Sequence, residues 1–421
     1  MAAAREAIDL LVGGAAEVVT GRGSAARGGR ELGALEVHAR GAVAIRGERI
    51  VAVGTEAELA ARYAADRHLD AQGGVVAPGF VDAHTHPVFA ATREGEFELR
   101  SRGASYVEIA AAGGGIASSV RGVRAAGKEE LLALLIPRLD RFLELGTTTI
   151  EAKTGYGLTV ADELKCLEVI AEANRVHAVD LVPTFLGGHD VPPEHRGDPE
   201  RYVDLVVEEM LPRVAESGLA RFFDVFTERC AFGIADSRRM LARAHELGFA
   251  LRMHVDQFSP LGGAELAAEL GAATADHLEH VSERGIAALA ATGVMPVLCP
   301  LVPLYLRLAQ EAPARRLIEA GLAPAISTDF NPGSSYVQSM PEILSWAALR
   351  YSMTTAECLI AATLNPASSL GLGADRGTLE PEKRADLVVL DVPNHLHLCY
   401  EIGRNPVRAV VKSGRVVVLA G

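Results

Sequence analysis

Eight short apolar runs, each followed by a longer stretch, fill the middle of the 421-residue chain: Gly79–His84, Thr147–Ala152, Leu181–Leu186, Phe222–Thr227, Ala250–His254, Ala273–His277, Val294–Leu298 and Ala325–Thr328. Helical patterning occupies Lys128–Leu145, Val160–Asn174, Asp236–Leu247, Leu261–Leu270 and Glu283–Ala291 between them. Strands that are apolar on both faces must be covered on both faces, and parallel neighbours need long crossovers, usually helices. The pattern predicts an α/β fold, a (β/α)8 TIM-like barrel. An open doubly wound sheet competes with it; eight repeats without a glycine-rich first turn favour closure.

The two ends have another texture. Asp9–Val12, Val37–Arg46 and Arg49–Val53, then Ala385–Leu390, Val407–Lys412 and Arg415–Leu419, are β-rich runs punctuated by glycine turns. They predict one small β-sandwich formed from both termini, residues 1–75 and 377–421, around a barrel domain over 76–376. Apolar residues make up 49% of the chain, enough to bury a core in each. The formal charge of −13 argues against general affinity for nucleic acid or anionic membranes, but not against an anionic small substrate in a locally basic pocket. No apolar run is long enough to span a bilayer, and the amino terminus lacks a secretory pattern, so a cytoplasmic protein is expected. Five scattered cysteines without a CxxC suit a reducing compartment. There is no P-loop and no GxSxG elbow, and Gly113-Gly114-Gly115 reads as a flexible loop.

The chemistry concentrates at strand ends. In a barrel, the carboxyl ends of the strands carry the active site. His84 and His86 leave the first strand two residues apart, so both imidazoles point to one side. His254 ends the fifth strand and Asp329 the eighth. Three imidazoles and a carboxylate suit Zn²⁺ or a similar borderline ion, which lowers the pKa of a coordinated water towards 7. His277, ending the sixth strand, is placed to move protons there. His280 lies past that strand end and reads as a surface or supporting residue, while Glu228 and Lys153 read equally as tuning groups or as a buried ion pair. His395-Leu396-His397 repeats the spacing without matching ligands and reads as a strand or loop.

Together, Pro78-Gly-Phe-Val-Asp-Ala-His-Thr-His86, the fifth- and sixth-strand histidines and the eighth-strand aspartate resemble the metal-dependent amidohydrolase superfamily. Further segments resemble the imidazolonepropionase family over nearly the whole chain: Arg93-Glu-Gly-Glu-Phe-Glu-Leu-Arg100, Gly103–Ile116, Glu151-Ala-Lys-Thr-Gly-Tyr-Gly-Leu158, Phe185-Leu-Gly-Gly-His189 and Ser327-Thr-Asp-Phe-Asn-Pro-Gly-Ser334. That resemblance implies hydrolysis of the cyclic amide C–N bond of 4-imidazolone-5-propanoate to N-formimidoyl-L-glutamate, in histidine degradation. It also implies roles. His84, His86, His254 and Asp329 would hold the metal, and His277 and Asp329 would be catalytic. Arg93 would bind the substrate carboxylate, with Tyr106, Tyr156, His189, Gln257, Asn331, Gly333 and Ser334 as further contacts.

Two departures bear on mechanism. Some family members carry glutamate at the position of Gln257, and glutamine cannot serve as a charged base; Ser334 stands where threonine is common. The fourth strand, Phe222–Thr227, lacks the bridging lysine of binuclear relatives, so one metal is expected, zinc first and iron as the alternative. A homodimer acting on a small anionic substrate is expected. The rival activities are hydrolysis of another cyclic amide and deamination of a nucleobase. A non-catalytic relative that has lost its metal ligands is disfavoured, because all four are present.

Overall fold

The computed structural model describes residues 5–104, 108–109 and 113–420. Eight parallel strands form one sheet in chain order: Phe80–Asp82, Thr147–Lys153, Asp180–Gly188, Phe222–Thr227, Ala250–Val255, Thr274–His277, Met295–Leu298 and Ala325–Ile326. Helices alternate with them, among them Lys128–Glu144, Val160–Val176, Ile234–Glu246, Gly263–Leu270 and Glu283–Thr292. The barrel expected from the alternation is thus the observed architecture.

The first and last strands are shorter than their apolar runs, and the ring closes beyond their regular ends. Thr85 bridges Phe330 in parallel, and the His86 amide donates to the Phe330 carbonyl at 2.8 Å. Closure therefore falls on the segments that carry His84, His86 and Asp329. His277 (φ 79°), the last residue of its strand, and Asp329 (φ 49°), three residues beyond the last strand, adopt left-handed backbone, which costs free energy for residues with a Cβ.

The chain divides into two compact units. The described residues of Met1–Ala83, Asp140–Thr149 and Ser339–Gly421 make one, and those of His84–Leu139 and Ile150–Gln338 the other. In the first unit, a four-stranded sheet runs Arg49–Thr55, Gly41–Arg46, Glu6–Gly13, Tyr63–Asp70. A six-stranded sheet runs Arg415–Leu419, Val407–Lys412, Leu387–Leu390, Val75–Pro78, Glu17–Thr20, Glu36–Ala39. Val12, Val43, Ile45 and Leu69 from one pack with Val18, Val76, Leu387 and Val411 from the other in a shared core, the arrangement of a sandwich. Both termini contribute, because Leu387–Leu390 pairs antiparallel with Val75–Pro78. No helix among the described residues is long and apolar enough to cross a membrane.

The run Val37–Arg46, read from sequence as one strand, is two strands in different sheets. Arg40 turns left-handed (φ 50°) between them. Gly41 then passes so close to the neighbouring sheet that a Cβ would lie 2.6 Å from Val18 Cγ2 and 2.7 Å from the His38 carbonyl. Overpacking such a core costs typically about 1–3 kcal/mol. Gly41→Val is expected to lower the unfolding free energy from urea titration by that order while bound metal per folded chain, read by elemental analysis, stays unchanged.

Candidate metal centre and substrate pocket

The strand-end residues converge. Asp329 Oδ1 lies 3.5 Å from both His84 Nε2 and His86 Nε2, and His254 Nε2 lies 3.4 Å from His86 Nε2. All four side chains are buried, as is His277, whose ring centroid is 5.1 Å from that of His84 and 5.3 Å from that of His254. Burial, assisted by neighbouring cationic groups, pushes the His84, His86 and His277 imidazoles well below their usual 6.5. They are therefore neutral at pH 7 and have lone pairs to give.

The ligand atoms are chosen by what lies behind the rings. His84 Nδ1 is 2.6 Å from Asp276 Oδ2, and His254 Nδ1 is 3.0 Å from Asp224 Oδ1. A carboxylate only accepts, so each Nδ1 carries the proton and each Nε2 keeps its lone pair for the centre. Asp224 and Asp276 belong to a fully buried ionic layer in the barrel. Lys153 Nζ contacts Glu151 (2.9 Å), Asp224 (2.6 Å) and Asp276 (3.7 Å), and Arg252 contacts Glu151 (2.8 Å) and Asp276 (3.8 Å). Burial alone would raise Asp224, but His254 and Lys153 hold it well below the usual carboxylate range. Burial pushes Asp276 upward, against the pull of Arg252 and Lys153.

This arrangement fits a divalent cation. Three carboxylates against two cations leave the layer one negative charge, and Asp329 adds a second. Three imidazole nitrogens and one carboxylate oxygen are also the donor chemistry of such an ion. Among the described residues, the groups able to hold a metal draw only on His84, His86, His254, His277 and Asp329. His395 instead pairs with Glu17 at 2.8 Å, and His397 opens the short helix His397–Tyr400 rather than a strand or loop.

A pocket of about 470 Å³, counted out to open solvent, adjoins these donors. His86, His254, His277 and Asp329 line it together with Arg93, Tyr156, His189, Gln257, Asn331 and Ser334. Arg93 is buried and aimed by Glu96, whose Oε2 accepts from Nε at 2.9 Å and from Nη2 at 2.7 Å. Gly333 packs against that guanidinium so closely that any Cβ would collide with it. His189 donates from Nδ1 to the Gly155 carbonyl at 2.9 Å, leaving Nε2 as an acceptor; burial pushes this imidazole down to about 3. Its ring stacks on His86, 5.2 Å between centroids. Asn331 spends its amide within its own loop, donating to the Asp329 carbonyl and Ser334 Oγ and accepting from Gly333 N and Ser334 N, so it shapes the loop. His280 lines a neighbouring cavity rather than this pocket. Tyr106 lies outside the described residues.

The loops are pinned by carboxylates. Glu163 accepts from the amides of Gly155, Gly157 and Leu158, which fixes Tyr156. Asp256 accepts from four successive amides, Leu261 to Ala264, beside Gln257. Glu228 holds the Phe258 and Ser259 amides, a structural duty rather than a tuning one. Lys153 proves to be a buried ion-pair residue. Asp224, Asp276, Glu151 and Arg252 were not singled out from the sequence. Their signal was a charged residue inside an otherwise apolar strand, as in Phe222-Phe-Asp-Val-Phe-Thr227.

Two measurements test this reading. Asp276→Asn removes the carboxylate behind His84 and is expected to weaken zinc binding roughly 10- to 100-fold in a chelator competition. Because the folded state holds the His84, His86, His189 and His277 imidazoles neutral, the unfolded chain binds more protons below its own histidine pKa of about 6.5. The thermal midpoint of metal-free protein is therefore expected to fall as pH drops from 7 to 5, and a flat profile would contradict the buried neutral cluster.

The family model described as "Amidohydrolase family" matches residues 90–418, and one described as "Imidazolonepropionase-like composite domain, bacteria" matches 41–65. The chain is 49% identical to an imidazolonepropionase of Symbiobacterium thermophilum over 98% of each chain, and 49% identical to one of Solibacter usitatus over 93% of this chain and 94% of that one. Among solved structures, a zinc-bound adenosine deaminase of Xanthomonas campestris is similar with a TM-score of 0.72 at 23% identity, covering 99% of this chain and 94% of that one. A 5-methylcytosine deaminase of Klebsiella pneumoniae is similar at 0.74 and 17% identity, over 98% of each. The structural likenesses bear on fold alone. With the metal-donor set at the strand ends and near-full-length similarity at this level, the chain belongs to the imidazolonepropionase family of amidohydrolases.

Proposed function

We propose that this chain hydrolyses the cyclic amide C–N bond of 4-imidazolone-5-propanoate to N-formimidoyl-L-glutamate, a step of histidine degradation. Zinc is the proposed ion, one per chain, and the proposed form is a cytoplasmic homodimer. The observation that carries the reading is a single pocket lined by Arg93, by the convergent metal donors and by uncharged Gln257. The near-full-length relatives bearing that activity's name support it.

His84, His86, His254 and Asp329 would hold a divalent ion, and the chemistry gained with it bound would be Lewis acidity and a water made nucleophilic near neutral pH. Arg93 binds the propanoate carboxylate, its planar fork held in position by Glu96. His189 accepts a substrate N–H at Nε2, and Tyr156, 5.3 Å from that ring, packs beside the bound ring. Gln257 offers an amide to the ring nitrogens. Asp329 turns Oδ1 to the histidines and Oδ2 towards Ser334, and Oδ2 accepts the proton of the attacking water. His277 donates to the developing oxyanion and assists proton delivery to the departing nitrogen. Water's oxygen ends in the new carboxylate, and the released nitrogen gains its proton.

Nucleobase deamination is disfavoured by Gln257, which cannot carry a proton as a charged glutamate does. Zinc-loaded protein is expected to accelerate loss of the ultraviolet absorbance of fresh 4-imidazolone-5-propanoate, with N-formimidoylglutamate identified by mass. No acceleration, or ammonia from cytosine or guanine instead, overturns the substrate. Arg93→Ala is expected to raise KM roughly 10- to 100-fold, the worth of a charge-assisted hydrogen bond. His277→Phe is expected to keep one metal and lose roughly 10²- to 10⁴-fold in kcat. A sedimentation mass near twice the 44.4 kDa chain supports the homodimer, and a mass near 44.4 kDa overturns it.

A further inference from the structure

The turn at 155–158, which carries Tyr156, is gripped from two sides. Gly155 (φ 105°) and Leu158 (φ 53°) both take left-handed backbone. Leu158 has a Cβ, so its conformation persists only where the surroundings enforce it. Glu163 takes the amides of Gly155, Gly157 and Leu158. The carbonyls of the same turn go to Arg124, whose Nε donates to Gly157 O at 2.7 Å and whose Nη2 donates to Leu158 O at 3.1 Å. Its third nitrogen, Nη1, lies 2.7 Å from Glu194 Oε1.

One guanidinium thus joins the segments that follow three successive strands, and each segment supplies a pocket residue. Arg124 stands in the last turn of the helix Ile116–Ala125, whose first residue, Ile116, lines the pocket. The turn at 155–158 supplies Tyr156. Glu194 lies in the short turn Pro193–His195, beyond His189. His189 is tied to the same turn a second time, because its Nδ1 donates to the Gly155 carbonyl at 2.9 Å. Any displacement of the turn therefore moves Tyr156 and His189 together. The ion pair itself is a weak source of stability, since the Glu194 side chain is 46% exposed. What Arg124 contributes is geometric: a rigid planar fork that fixes two carbonyls at once.

We propose that Arg124 is a positioning residue for substrate binding: by clasping the carbonyls of the 155–158 turn against Glu163, it sets where Tyr156 and His189 meet the substrate ring. It touches neither the metal donors nor the substrate. The proposal rests on the contacts given to Tyr156 and His189 under the proposed function. Loss of the clasp removes binding that substrate and transition state share, so KM rises while kcat stays. Methionine at 124 keeps the length of the side chain and removes every donor. Lysine keeps the charge but is a single point donor, which cannot fix both carbonyls in one plane.

The test uses zinc-loaded full-length protein and two readouts, steady-state kinetics with 4-imidazolone-5-propanoate and deuterium uptake by the backbone of residues 154–159. In Arg124→Met, KM is expected to rise roughly tenfold with kcat within about threefold and one zinc retained. Uptake over residues 154–159 is expected to quicken while the barrel strands exchange as in wild type. Arg124→Lys is expected to fall between the two in both readouts. A KM within about twofold of wild type in Arg124→Met overturns the proposal, as does wild-type uptake over residues 154–159. A merely structural role would lower the thermal midpoint and leave KM where it was. If Arg124→Met does not fold, Arg124→Gln, whose donor is too short to span both carbonyls, is judged by the same criteria. The exchange readout needs no substrate. Absence of turnover by wild type would therefore strike the proposed function, while the uptake of the variant still decides whether Arg124 holds the turn.

Discussion

The barrel is organised around a buried layer of charge. Glu151, Lys153, Asp224, Arg252 and Asp276 lie inside the ring of strands with no solvent exposure, on its second, fourth, fifth and sixth strands. Strand register puts them together, because Asp224 pairs with Arg252 and His254 with Asp276. Such a layer is a poor source of stability, since desolvating each charge offsets much of the attraction. Its value is directional. It fixes which nitrogen of His84 and His254 keeps its lone pair, and it leaves negative charge beneath a site built for a cation.

The same logic works outward from the metal donors. His277 at its strand end and Asp329 three residues past the last strand both take left-handed backbone, so main-chain geometry helps to aim their side chains. Around them Glu163, Asp256, Glu228 and Glu96 spend their oxygens on loop amides and on Arg93. The acidic excess of the chain is partly this: carboxylates that tie down the mouth of the barrel. The proposed substrate contacts, Arg93, His189, Tyr156 and Gln257, line the pocket beside these pinned segments. Asn331 is the counter-example, a pocket residue whose amide is wholly engaged by its own turn.

The alternation of apolar runs with helical stretches determined the eight-stranded barrel, since strands apolar on both faces have few other ways to be covered. Local spacing and strand ends likewise marked His84, His86, His254, His277 and Asp329, because the carboxyl end of a barrel strand is recognisable from the run before it. Where sequence reasoning fell short, the deciding contacts were distant in the chain. The split at Arg40 depends on Val18 in the neighbouring sheet, and the strand Tyr63–Asp70, with its exposed polar face, is defined by pairing with Glu6–Gly13. The partners of His84 and His254, 192 and 30 residues away, were chosen by strand register. One-dimensional pattern reports which residues face inward and where a strand stops; only closure of the ring decides which inward charges meet, because that depends on register between strands that are remote in sequence.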